Sequence, residues 1–247
     1  MGEMKFTPEL YVVGAGPGDP ELITLKGLKV LQRTPIILYD NLANKELLDY
    51  AQDSCEKIYV GKTPYGEYTS QEAIHELIKE KAFEKGMVVR LKGGDPFIFG
   101  RGFEEVLFAN KLGIKTFYIP GITSMQASGF SHIPLTHRTI SEGIWVLTGT
   151  KKDGGLSSDL RLAMRSNATV VIYMGMKKVH EIADTYIQEG KGDTPAAIIQ
   201  HATHVKQKSG SGLVKDLSAI AEMNHLTHPS IIIIGGVVAL KDTALNL

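Results

Sequence analysis

Short runs of β-branched and aliphatic residues recur along this chain, and between them apolar residues fall at helical spacing. The strand-sized runs are Leu10–Val13, Ile36–Tyr39, Lys57–Val60, Met87–Leu91 and Thr116–Ile119, followed by Ile144–Thr148, Thr169–Tyr173, Ala196–Gln200, Ile231–Ile234 and Val237–Leu240. Several are apolar throughout, as strands covered on both faces are. Thr69 and Glu72 fit a capping box ahead of an apolar face made by Ile74, Leu77, Ile78 and Ala82, with Gly86 as the stop. Val179, Ile182, Ala183, Tyr186 and Ile187 repeat the spacing up to Gly190, and Leu213, Leu217, Ile220 and Ala221 predict a last helix. This alternation predicts an α/β fold with mostly parallel sheets. So many strands exceed one ordinary sheet. A break at Pro120-Gly121 divides them into two αβα domains, 1–119 and 120–247.

Composition narrows the function. The 27 basic and 27 acidic residues cancel, which argues against a general nucleic-acid binder. The single cysteine, Cys55, excludes an intrachain disulfide and a cysteine-rich zinc site. The pairs His132 with His137 and His201 with His204 lack the acidic or thiol partners of a metal centre, so no metal is expected. The N-terminus has no basic start plus apolar core, and no apolar run reaches membrane-spanning length. A cytoplasmic protein without nucleic-acid or membrane partners is expected.

The glycine-rich turns carry the chemistry. Gly14-Ala15-Gly16-Pro17-Gly18-Asp19-Pro20 leaves the first strand, but Asp19 stands where a dinucleotide fingerprint needs its third glycine. Gly61-Lys62-Thr63 resembles the end of a phosphate loop, yet Glu56 stands where the upstream glycine belongs. Richer in glycine, charge and aromatics is the segment from Arg90 to Gly102, RLKGGDPFIFGRG, placed after a strand where open α/β sheets bind ligands. Pro120-Gly121-Ile122-Thr123-Ser124 and Ile133-Pro134-Leu135-Thr136-His137-Arg138 flank the domain junction, and Tyr173-Met174-Gly175 ends a strand. Taken singly, these are a turn, a helix cap and a core methionine as readily as a site.

In this order along the chain, from about Tyr11 to Leu240, these segments resemble the tetrapyrrole methylases, and RLKGGDPFIFGRG and IPLTHR are the specific ones. Within the family the resemblance is to members that methylate uroporphyrinogen III, rather than to those acting on later corrin intermediates or on diphthamide. It implies a homodimer and an S-adenosyl-L-methionine site in the cleft between domains. The first domain would hold substrate and part of the cofactor site, and the second would complete that site. Carried over by position, Pro17, Gly93, Gly94, Asp95, Ile98, Thr123, Ser124, Met174, Ala202 and Ser230 line the cofactor, while Asp40 and Lys62 have acid–base roles. The chain departs from common family patterns at Gly102-Phe103-Glu104-Glu105, Thr148-Gly149-Thr150 and Asp40-Asn41-Leu42, the last of which lacks a usual arginine.

The reaction so implied is two successive methyl transfers to ring carbons. It yields precorrin-2 and S-adenosyl-L-homocysteine, for sirohaem or cobalamin formation. Asp40 would take the proton that leaves the ring, with Lys62 as donor or electrostatic partner. Lys92, Arg101 and Arg138 are expected to hold substrate carboxylates, which an arginine fork meets with two hydrogen bonds. No fused dehydrogenase–chelatase segment is seen, so one activity is expected. The rivals are a precorrin-2 methyltransferase or diphthine synthase, a non-catalytic tetrapyrrole- or nucleotide-binding module and, less compatible with Asp19, an NAD(P)-dependent oxidoreductase.

Overall fold

The computed structural model describes residues 6–61 and 69–244. Its chain forms two compact units, Met1–Thr123 and Ser124–Leu247. Thr123 therefore closes the first unit, a few residues beyond the break read from the sequence.

In the first unit β1 (Glu9–Gly14), β2 (Ile36–Tyr39), β3 (Glu56–Tyr59), β4 (Met87–Lys92) and β5 (Lys115–Ile119) form one sheet in the order β3-β2-β4-β1-β5. Every pairing in it is parallel. Alternate residues serve opposite faces. Tyr11, Val13, Ile37, Val89 and Leu91 pack with Val30, Leu31, Leu47 and Leu48, from α1 (Leu25–Leu31) and the 3-10 segment Lys45–Tyr50. Leu10, Val12, Ile36, Leu38 and Val88 pack with Ile74, Ile78, Ala82, Val106 and Ala109, from α2 (Gln71–Lys85) and α3 (Gly102–Lys111). Leu38 is fully buried in this layer. Leu38→Ala should cost about 2–5 kcal/mol, the lost transfer energy plus a cavity, read as a lowered urea midpoint.

Helix α2 starts one residue later than its sequence signal. Ser70, not Thr69, is the cap, its Oγ accepting from the Ala73 amide at 3.1 Å. The Glu72 carboxyl is held below the usual carboxylate range by its backbone amide and by Ser70. Gly86 ends the helix in the left-handed conformation, at φ 80°.

The second unit departs from the expected parallel pattern. Its strands are β6 (Ile144–Thr148), β7 (Thr169–Tyr173), β8 (Pro195–Gln200), β9 (Lys208–Leu213) and β10 (Ser230–Ile234), in the order β6-β7-β10-β8-β9. Only β6 with β7 is parallel; β10 runs against β7 and β8, and β9 against β8. The connection from β8 to β9 is too short for a helical crossover, so the pair folds back antiparallel. One face packs on α4 (Leu160–Arg165), α5 (Val179–Gln188) and α6 (Leu217–Met223). The other is covered by the 3-10 segments Gln126–Ser131 and Gly236–Ala239 rather than by the α-helices of an αβα layer.

Two local expectations also change. Val237–Leu240 is not a strand. Gly235, at φ 153°, ends β10, and the Val238 amide donates back to the Gly235 carbonyl at 3.1 Å, so Val237 and Val238 are buried in a turn ahead of α7 (Leu240–Ala244). Leu213 belongs to β9, not to the last helix. That strand, Lys-Ser-Gly-Ser-Gly-Leu, lacks a hydrophobic pattern because its glycines make room for α6: a Cβ on Gly210 would lie 2.6 Å from Ile220 Cγ2.

Candidate active site

A parallel sheet delivers all its carboxyl ends to one edge. In the first unit that edge carries the loops after β1, β2, β4 and β5, and most of the residues singled out from the sequence. The glycine turns are fastened to one another. Gly94 N–H donates to the Gly16 carbonyl at 2.7 Å and Gly16 N–H to the Gly94 carbonyl at 3.3 Å. A Cβ on Gly14 would lie 2.4 Å from the Gly121 nitrogen, and one on Gly121 2.2 Å from the Gly94 oxygen, so three loops meet here as bare backbone.

Asp95 is the fastener. It is buried and accepts from the Phe97 amide at 2.8 Å, the Tyr118 hydroxyl at 2.6 Å and the Gly121 amide at 3.1 Å. Its carboxylate is thus spent inside the protein and shapes the turn. Burial, and then this carboxylate, push the Tyr118 hydroxyl up to about 12 from 10.0. A pKa raised on folding stabilises fully below the unfolded value and ceases to do so as pH rises through the folded one. Tyr118→Phe should therefore lower stability by about 1 kcal/mol at pH 7, less than a buried bond to a charged group contributes because the ring is part-exposed. In denaturant titrations the gap to wild type should narrow from about pH 10 and be gone by about pH 12.

Gly93 and Gly94 have different reasons to be glycine. A Cβ on Gly93 would strike Leu42, 2.5 Å from its Cβ, whereas one on Gly94 would meet nothing nearer than Thr123 Cα at 3.8 Å. Gly94 also holds φ 66°, and further along the same loop Phe99 and Arg101 hold φ 54° and 58° without being glycine. Left-handed backbone at bulky residues concentrates at functional sites. Pro17 and Gly94 are half-buried, Ile98 is exposed and Thr123 is buried, so the loops present both backbone and apolar surface.

Asp40, at the end of β2, is part-exposed. Its Oδ1 accepts from the Leu42 amide at 3.0 Å and its Oδ2 from Arg90 Nη2 at 2.9 Å. Arg90 is buried, and its Nε reaches Glu105 Oε1 at 3.3 Å, an oxygen that also accepts from Lys92 Nζ at 3.2 Å and Gln71 Nε2 at 3.3 Å. Sequence reading missed Arg90 and Glu105 as a unit. The signal was there: Arg90 and Lys92 alternate with apolar residues on one face of a central strand, and a buried pair of cations requires a buried anion.

Lys92 requires a correction. It was expected to hold substrate carboxylates, but its side chain lies inside, where Glu105 already meets its charge. Burial, then the Arg90 charge, pull its ammonium below the usual lysine range, against the opposite pull of Glu105 and Asp40. Arg101 is exposed at the head of α3 and reaches Glu104 at 2.6 Å. Arg138 is exposed in the turn that His137 and Ser141 close with paired backbone bonds. Lys62 lies outside the described residues. Cys55 is buried, and burial pushes its thiol up, away from nucleophile chemistry.

In the second unit Met174 follows β7 at φ 54° with its side chain exposed, and its carbonyl accepts from Thr150 Oγ1 at 3.0 Å. Ala202 is buried after β8, Ser230 opens β10 with its hydroxyl on the Thr227 carbonyl, and Ser124 opens the unit. Among the described residues no three metal-ligating side chains converge, and no helix is long and apolar enough to cross a membrane.

Residues 9–218 match the family model described as Tetrapyrrole (Corrin/Porphyrin) Methylases. The chain belongs to this family. It is 43% identical over 233 residues to the uroporphyrinogen-III C-methyltransferase of Bacillus subtilis (strain 168), covering 93% of this chain and 91% of that one. It is 38% identical over 235 residues to the siroheme synthase of Chromobacterium violaceum, covering 94% of this chain and about half of that longer protein (50%). Among solved structures, the uroporphyrin-III C-methyl transferase from Thermus thermophilus complexed with S-adenyl homocysteine superposes with a TM-score of 0.81 at 38% identity, covering 94% of this chain and 99% of that one. For a tetrapyrrole methylase, glycine loops fastened at the carboxyl edge of a parallel sheet are the natural place to seek the methyl donor.

Proposed function

We propose that this tetrapyrrole methylase transfers the methyl group of S-adenosyl-L-methionine to two carbons of uroporphyrinogen III in succession, giving precorrin-2 and S-adenosyl-L-homocysteine for sirohaem or cobalamin formation. The observation that carries the reading is the open backbone at Gly94, where a side chain would meet almost nothing of the protein and so leaves room for a ligand. The identity to enzymes named for this substrate supports it.

Pro17, Gly94, Ile98 and Thr123 would touch the donor. Gly93 and Asp95 hold the turn in shape, since Leu42 and three hydrogen bonds account for them. Ser124, Met174, Ala202 and Ser230 are proposed as further donor contacts. When bound, the donor supplies an electrophilic methyl carbon. The chain's part is to hold a pyrrole carbon in line with it and to receive a proton. Asp40 is the base: it is part-exposed while the charges behind it are buried. Lys62 is its proposed partner, and Arg101 and Arg138 take substrate carboxylates. A cytoplasmic homodimer completes the reading; the single buried cysteine agrees with a reducing compartment.

The test is incubation with the donor and, in parallel, uroporphyrinogen III, precorrin-2 or diphthamide-precursor protein. Red-fluorescent oxidised products from the first alone support the reading. Donor consumption only with one of the others would replace it with a sister activity. Binding without consumption would make the protein a non-catalytic module.

A further inference from the structure

Two cations and two anions form a chain that ends in the candidate base. Arg90 is 3% exposed, Lys92 7% and Glu105 0%, while Asp40, the outermost member, is 19% exposed. Three buried charges thus lead to the one member that a ligand can reach. Each Arg90 nitrogen is committed. Nε meets Glu105, Nη2 meets Asp40, and Nη1 donates to the Leu91 carbonyl at 2.8 Å and the Leu38 carbonyl at 3.4 Å.

Glu105 is the anchor of this arrangement. One of its oxygens accepts three donors, and the other is buried with no hydrogen-bond partner among the described residues. A buried carboxylate so unevenly satisfied is a poor contributor to stability, since apolar replacements of buried ion clusters are often neutral or better. Its position suits another task. It lies on α3, its carboxylate meets the Arg90 and Lys92 side chains of β4, and it holds the guanidinium that holds Asp40.

We propose that Glu105 is a positioning residue for methyl transfer, fixing Asp40 through Arg90; this rests on the reading of Asp40 as the base. Glu105 also occupies Lys92. Among the described residues it is the one carboxylate within ion-pair distance of the Lys92 ammonium. With that charge removed, Asp40 is the remaining anion whose charge acts on the Lys92 ammonium, and Lys92 competes with Arg90 for it. Gln71 steadies the far side, bridging Glu105 at 3.3 Å and His75 at 3.2 Å.

The test compares wild type, Glu105→Gln, Glu105→Gln with Lys92→Met, and Asp40→Asn. Glu105→Gln keeps shape and removes charge. It should lower kcat by roughly 10-fold, with KM for the donor within about 2-fold, because a misplaced base is felt in the transition state and not in donor binding. Removing the competing ammonium as well should restore most of the lost kcat, a recovery that a packing role would not produce. An activity-independent readout is the Arg90 Nε–H resonance in a nitrogen-15 spectrum. It should be protected from exchange in wild type and in the double variant, and lose protection in Glu105→Gln.

Wild-type kcat and wild-type Arg90 protection in Glu105→Gln overturn the proposal. So does a double variant worse than the single. If Glu105→Gln does not fold, Glu105→Asp serves, since it keeps the charge and draws it back from Arg90: a lowered kcat with Arg90 less protected supports the proposal, and wild-type values of both overturn it. Asp40→Asn separates the two layers. A fully active Asp40→Asn removes the base and this proposal with it, whereas an inactive Asp40→Asn beside a normal Glu105→Gln removes this proposal alone.

Discussion

Asp40→Asn should lower turnover by about 100- to 10,000-fold, the usual contribution of a positioned general base. The substitution keeps the size of the side chain and its acceptor oxygen toward the Leu42 amide, so the end of β2 should hold its shape. What is lost is the site that receives the proton once a ring carbon has been alkylated. Binding of S-adenosyl-L-homocysteine should be unchanged, since Asp40 belongs to the β2 loop and none of the proposed donor contacts lies on that loop. Stopped-time product analysis at saturating donor measures the first quantity and calorimetry the second. Undiminished turnover would remove Asp40 from the mechanism, and lost donor affinity would recast it as a binding residue.

Gly94→Val should weaken donor binding by about two orders of magnitude while leaving the protein folded. Its Cβ would stand 3.8 Å from Thr123 Cα with no other heavy atom near, so the fold itself does not resist a side chain there. The branched methyls would occupy the space in front of the loop that the proposed ligand needs. A donor affinity lower by roughly 100-fold, about 3 kcal/mol, is expected by calorimetry. The left-handed φ of 66° adds strain of about 1–3 kcal/mol for a β-branched residue, seen as a lower melting temperature. Gly94→Ala carries much of that strain without the branches. A large affinity loss in Val and a small one in Ala would assign the effect to the ligand, and equal losses in both would assign it to the backbone.

The legible part of the fold was the part that hydrophobic pattern dictates. Ile36–Tyr39 and Thr169–Tyr173 are largely buried apolar runs, Ile144–Thr148 is a mostly apolar run that is only part-buried, and the structure has strands with those ends. Strand direction was not legible in the second unit, because an apolar run such as Ile231–Ile234 reads alike whether its neighbours run with it or against it. Strand β9 stayed hidden for the opposite reason: its burial is achieved by what its glycines leave out, which leaves no apolar pattern. At the site the glycine turns were visible, yet the reason for each glycine was not. Gly93 yields to Leu42, and Gly94 faces open space. The fixed charges behind Asp40 join β2, β4, α2 and α3, segments far apart in sequence, and only folding brings them together.

Most direct for the central claim is carbon-13 spectroscopy of uroporphyrinogen III after incubation with the protein and S-adenosyl-L-methionine labelled at its methyl carbon. Two new methyl resonances on quaternary ring carbons, with matching release of S-adenosyl-L-homocysteine, are the expected result. Label found on oxygen or nitrogen, or a macrocycle that stays unlabelled while the protein holds the donor, would contradict it.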